Sequence, residues 1–233
     1  MIAIFFAFVT LLATFAGGLL PFSKPFQKIQ LRYLIAFAGG AMLAIAFFDL
    51  IPQASESKGA LFFVAVGFFL LYLIEKLIMI HSCHESECES HEISGPVAMV
   101  GIIAESLADG IAIAVGFAVS PALGFIIALA VFFHEFPRGF STTVIMKAAK
   151  LDKKAIILAL LIDGGFTVIG ALIGVFFPQE LFPYIIAFTA GTFLYIGASD
   201  MLPEAHKRFN ILVVGSVFLG AGLLLLVSLV AKI

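Results

Sequence analysis

The sequence predicts an all-α polytopic membrane protein, a bundle of eight transmembrane helices. Of 233 residues, 62% are hydrophobic and only 12% charged, where soluble domains carry about 45–50% apolar and about 25% charged residues. The mean hydropathy is +1.18. Apolar runs of about 20 residues, the length that crosses a bilayer as a helix, recur along the whole chain.

The expected spans are 1–20, 33–52, 60–80, 96–119, 123–147, 154–177, 181–204 and 210–232. The first, MIAIFFAFVTLLATFAGGLL, lacks a basic leading segment and reads as a span rather than a cleaved signal. Pro21, Pro25, Gly59, Gly95, Pro96, Pro121 and Pro178 punctuate the connections. The loop 81–95 is the only one of any size, so residues 1–233 are expected to form a single transmembrane domain. The chain has 27 Phe, four Tyr and no Trp, which leaves the interfacial belt to Tyr and basic residues. Two Cys cannot define a disulfide framework.

Lys and Arg set the orientation, because cytoplasmic loops carry the excess of both. With the N-terminus outside, the inward side holds Lys24, Lys28, Arg32, Lys76, Lys147, Lys150, Lys153, Lys154, Lys207 and Arg208. The outward side holds Lys58 and Lys232. The bias predicts an N-out, C-out topology. Small residues such as Gly39, Gly40, Gly110, Gly191 and Gly220, and the pair Gly170 and Gly174, mark faces where helices pack closely.

Two stretches carry charge where lipid would otherwise lie: GIIAESLADG (101–110) and FHEFPRG (133–139). A charge at a helix centre costs roughly 2.5–3.5 kcal/mol on insertion scales, so such residues mark ion pathways or bound ions. Glu105 and Asp109 are four residues apart, hence on one helix face. His134 and Arg138 share the same spacing on the next span, with Glu135 adjacent and Pro137 removing a backbone donor. Ser106 lies within reach of the same cavity. Two carboxylates and an imidazole form a ligand set for zinc, manganese or iron(II). The competing reading is an inert ion-pair network in which Arg138 neutralises Glu135 and a second acid.

Asp200 lies deep in the seventh span and is expected at the site. Asp49, near the outer end of the second span, and Glu204, near the inner end of the seventh, read equally as pathway groups or solvated helix ends. His206 could extend an exit path. Asp163 precedes two glycines in the sixth span, and its role stays open between joining the cavity and capping a broken helix. The loop HSCHESECESHE offers His81, Cys83, His84, Cys88 and His91 as soft metal ligands, in a spacing that matches no closed zinc fold.

These features resemble the ZIP (Zrt/Irt-like) metal transporters over nearly the whole chain. The most specific parts are HEFPRG, similar to the family's HExPHE-type motif, and AGTFLYIGASDMLPE of the seventh span; GGAMLAIAFFDLIPQA of the second fits as well. The resemblance implies a carrier of divalent cations into the cytoplasm, with a binuclear site between spans four and five. By position, one metal would use Glu105, Asp109 and His134. The other would use Ser106, Asp109, Glu135 and Asp200. The family's usual His-Asn is replaced here by Glu105 and Ser106, its span-two His by Asp49, and its second span-five His or bridging acid by Arg138. A guanidinium is always charged and cannot ligate. The expectation is therefore a mononuclear site, with Arg138 paired to Glu135 or Asp200 in place of the second metal. Glu105 in place of His hardens that site towards ions such as manganese.

The expected function is divalent metal transport across the plasma or inner membrane, without enzymatic activity. The alternatives are a non-metal solute carried on the same scaffold, or a non-transporting metal sensor. An intramembrane protease is disfavoured because HEFPR lacks the second His of HExxH. No prosthetic group is expected, the divalent cation being the substrate. The expected partners are membrane lipid and that cation, with no nucleic acid, and a homodimer is a candidate assembly.

Overall fold

A computed structural model describes residues 1–23, 31–78, 95–207 and 210–231. The described chain is helical throughout: α1 (Ile2–Leu19), α2 (Arg32–Ile45), α3 (Ile51–Ser55), α4 (Phe62–Ile78), α5 (Gly95–Val119), α6 (Pro121–Ala148), α7 (Lys153–Gly174), α8 (Phe182–Tyr195), α9 (Leu202–Ala205) and α10 (Ile211–Ala231). Seven continuous helical runs among the described residues are long and apolar enough to cross a membrane. The third expected span, α4, is the shorter apolar helix beside them.

The ends follow from local chemistry. Pro21 closes α1 by opening a 3₁₀ turn, Leu20–Phe22. Ser120 caps α6 through its hydroxyl, which accepts from the Leu123 N–H, with Pro121 at the first helical position. Asp152 caps α7 by accepting from the Ala155 N–H. Lys150 turns the chain between α6 and α7 at φ +60°. At that end the Lys147 ammonium bonds the Pro21 carbonyl, and Lys147 and Lys153 both lie over the Phe22 ring.

α2 does not stop at Ile45. It passes through a π-helical turn, Ala46–Leu50, into α3. α8 does the same through Ile196–Met201 into α9. The two segments share a sequence pattern: Gly40, Leu43, Ile45, Asp49, Pro52 and Ala54 match Gly191, Leu194, Ile196, Asp200, Pro203 and Ala205 in register. The structure thus shows a repeat that the reading of single spans does not reveal.

The helices sort into two groups. α5 packs extensively on α7, α1 on α6 and α7, α5 on α6, α2 on α10 and α4 on α8, whereas α5–α8 and α4–α5 make narrower seams and α2–α6 is intermediate. Within the groups the tightest crossings are reciprocal. A Cβ on Gly17 would strike the Phe136 carbonyl, and one on Gly139 the Thr14 carbonyl. Gly110 and Gly170 lock α5 to α7 in the same way, Gly40 and Gly220 lock α2 to α10, and Gly67 and Gly191 lock α4 to α8. In a bilayer, close backbone approach replaces the hydrophobic drive that water supplies elsewhere. Such crossings bind pairs of helices within each group, and among the described residues no reciprocal glycine crossing joins one group to the other.

Candidate metal centre

The polar side chains of α1, α5, α6 and α7 meet inside the first helix group. Glu105 and Asp109 face α6 from successive turns of α5, and His134 faces them. One ligand atom from each of these three lies within 4.8 Å of the others, the one such grouping of His, Cys, Asp and Glu among the described residues. Asp109 and His134 are buried, and the Glu105 side chain keeps 15% of its surface exposed.

The His134 ring is held at both nitrogens. Nδ1 lies 3.2 Å from the Ala130 carbonyl and Nε2 3.2 Å from Asp109 Oδ2. Both neighbours are acceptors. With an Nδ1–H directed at the carbonyl, Nε2 and Asp109 need a proton or a metal cation between them. Fixing the far nitrogen on a carbonyl is how a ligating imidazole is usually oriented.

Arg138 sits beside the triad, one turn past His134. Its Nη1 is 2.7 Å from Glu105 Oε1 and 3.9 Å from Asp109 Oδ2. Its Nη2 is 2.5 Å from Glu135 Oε1, 2.6 Å from Asp163 Oδ1 and 2.7 Å from Ser106 Oγ. Ser106 in turn donates to Asp163 Oδ1 at 2.6 Å. Thr14 on α1 donates its hydroxyl to Glu135 Oε2. Four carboxylates therefore surround one guanidinium and one imidazole. The cluster lies in a low-dielectric interior, where charge is costly unless it is paired or neutralised by a proton or a cation.

Glu105 and Asp109 also border a cavity of about 40 Å³ between α5 and the second helix group, walled by Leu70, Phe188, Thr192 and Ile196. Space of this size holds more than one water, each needing roughly 10–15 Å³. A larger groove of about 490 Å³, lined by Phe63, Phe177, Leu181 and Tyr184, shares Ala108 and Phe188 with it.

Asp200 requires a correction. Expected deep in the site as a partner of Arg138, it is exposed on the π-helical turn Ile196–Met201 and does not join the triad. A π turn inserts an extra residue and rotates everything after it, so projection along a regular helix puts Asp200 on the wrong face. Asp163 takes the place beside Arg138 that was expected of it. Pro137 lies inside α6, which runs on without interruption; the π turns fall in the second helix group.

Asp49 is buried, accepting from Ser228 on α10 at 2.5 Å, and is not a solvated helix end. Glu204 pairs with Lys207 at 2.6 Å on an exposed helix end. His206 is half-buried, its Nδ1 2.9 Å from the Leu202 carbonyl. His81, Cys83, His84, Cys88 and His91 lie outside the described residues. Thr14 escapes the sequence reading, being one hydroxyl among many. Of the two readings left open for Asp163, joining the cavity is the one the structure shows; nothing in the sequence names its partner.

Fold and site together define a multi-pass membrane protein with a buried cluster of carboxylates and an imidazole between its helices, three groups of which could hold a cation. Residues 79–228 match the family of ZIP zinc transporters, and the chain belongs to that family. It is 31% identical over 228 residues to the zinc transporter ZupT of Chlorobium chlorochromatii (strain CaD3), covering 84% of each chain. It is 25% identical over 200 residues to the zinc transporter ZIP13 of Pongo abelii, covering 75% of this chain and 58% of that one. It is 34% identical over 128 residues to the Drosophila melanogaster zinc transporter foi, covering 52% of this chain and 18% of that protein. The chain thus spans less than two thirds of the length of the last two.

Proposed function

We propose that the protein carries a divalent metal cation, zinc, manganese or iron, across the cell membrane into the cytoplasm, through a mononuclear site made of Glu105, Asp109 and His134. One observation carries this reading: the His134 Nε2 and Asp109 Oδ2 face each other at 3.2 Å in a buried setting, with Glu105 placed to supply a third ligand atom. Membership of the ZIP family, and relatives named as zinc transporters, support it. On this reading the protein is a carrier and not an enzyme. It has an N-out, C-out topology, no prosthetic group, and lipid and the cation as partners. The homodimer stays a candidate assembly.

Arg138 stands where a second metal would need ligands, and its fixed positive charge supplies what that ion would. Glu135 belongs to the arginine on this reading, not to the metal. The triad lies on one helix group, and its open side faces the other group across the cavity. Rocking of the first group against the second would expose the cation to either side in turn, as carriers with mid-membrane sites require.

Uptake into proteoliposomes with a panel of zinc, manganese, iron and cadmium tests the reading, with bound metal per chain measured alongside. Uptake of at least one ion, lost in Asp109→Ala, with one ion bound per chain, supports it. Two bound ions per wild-type chain would overturn the mononuclear site. The 2.7 Å pair between Arg138 and Glu105 favours one rival: if the arginine closes the site, wild-type chains take up nothing and Arg138→Ala gains transport.

A further inference from the structure

We propose that Asp163 is the positioning residue that anchors Arg138 away from the metal triad, so that a cation can take Glu105 without leaving the guanidinium unpaired. This rests on the reading that Glu105, Asp109 and His134 receive a cation.

The guanidinium is shared between two sets of acids. Nη1 reaches towards the triad, where it holds Glu105 at 2.7 Å and approaches Asp109 to 3.9 Å. Nη2 reaches the other way, to Glu135 at 2.5 Å and Asp163 at 2.6 Å. The arriving cation and Nη1 therefore compete for the same carboxylate. A divalent ion wins only if the arginine is neutralised elsewhere, because a lone charge at this depth is costly.

Asp163 is placed to do that. It comes from α7, which contributes nothing to the triad, and it is buried. α7 is held against α5 by the reciprocal Gly110 and Gly170 crossing, so the carboxylate cannot follow the arginine towards the triad. Ser106 donates to the same oxygen that receives Nη2, fixing its position. Glu135 is also held, by Thr14. When a cation binds, Nη1 gives up Glu105 while Nη2 keeps two anchored acids. Without Asp163, Glu135 alone opposes Glu105 and Asp109, and the guanidinium shifts onto the triad.

The test is Mn²⁺ affinity of the purified full chain by calorimetry, for wild type, Asp163→Asn, Arg138→Gln and the double variant, reading the tighter site. The asparagine keeps the size and can still accept from Ser106, but loses the charge. Asp163→Asn is expected to weaken binding roughly tenfold, the usual scale for losing one close charge interaction near a site. In the Arg138→Gln background the same change is expected to cost less than about threefold, because there is no arginine left to anchor. Equal losses in both backgrounds would make Asp163 a metal ligand and overturn the proposal, and no loss in either would also overturn it. Binding by Arg138→Gln but not by wild type would show that the arginine is not held off the triad. Absence of binding in both would sink the cation site itself. Ser106→Ala, which removes one hydroxyl from the anchor, is the second variant should Asp163→Asn not fold, with a smaller loss of the same pattern expected.

Discussion

The hydroxyl of Thr14 on α1 donates to Glu135 Oε2 on α6, beside the glycine crossing where Gly139 meets the Thr14 carbonyl. One helix turn thus carries both the packing that brings α1 and α6 together and the donor that orients a buried acid. Thr14→Val keeps the shape and removes the donor. Because bonds to charged groups contribute about 1.5–3 kcal/mol, thermal unfolding in detergent should show a loss of that size. An unchanged melting temperature would mean that Glu135 draws its stability from Arg138 alone.

Asp109 lies 3.2 Å from His134 Nε2, and its side chain is part of none of the glycine crossings that bring the helices together. Asp109→Ala and His134→Ala are therefore expected to lower uptake to the background of empty liposomes while the chains still elute as folded particles. Retained uptake in either variant would remove that residue from the ligand set.

Gly139 and Gly165 make opposite predictions. A Cβ at Gly139 runs into backbone, whereas one at Gly165 meets nothing within 4 Å. Gly139→Ala should destabilise by about 1–3 kcal/mol through overpacking. Gly165→Ala should be neutral or stabilising by up to about 1 kcal/mol, through the better helix propensity of alanine. Melting temperatures that move in the same direction for both would contradict the close α1–α6 crossing.

Ser228 on α10 donates to the buried Asp49 at 2.5 Å, across the pair of helices locked by Gly40 and Gly220. Ser228→Ala should cost about 1.5–3 kcal/mol in unfolding free energy, with uptake per folded chain unchanged, since the bond lies in the second helix group. A change in metal affinity instead would place Asp49 on the pathway.

Much of this protein is legible in its sequence. Each apolar run expected to span maps onto a helix within a few residues, because twenty apolar residues in lipid can satisfy their backbone only as a helix. Glu105, Asp109, His134 and Arg138 were readable for a related reason. Charge in such a run is expensive, and spacing of four puts pairs on one face. Asp200 and Asp163 mark the limit. Both are acids in apolar spans, and nothing local separates the exposed one from the anchor of the arginine. A π turn decides the first and a helix crossing decides the second. Neither leaves a periodic trace.

The sequence by itself determined the membrane class, the helices and the chemistry of the two polar stretches, since these depend on composition and on spacing within one helix. The tertiary structure alone decided which helices form a group, that Thr14 and Asp163 join the cluster, and on which side of Arg138 each acid lies. Those are relations between residues far apart along the chain, 121 positions in the case of Thr14 and Glu135. They are set by backbones meeting at glycines, and contact between helices has no period along the chain.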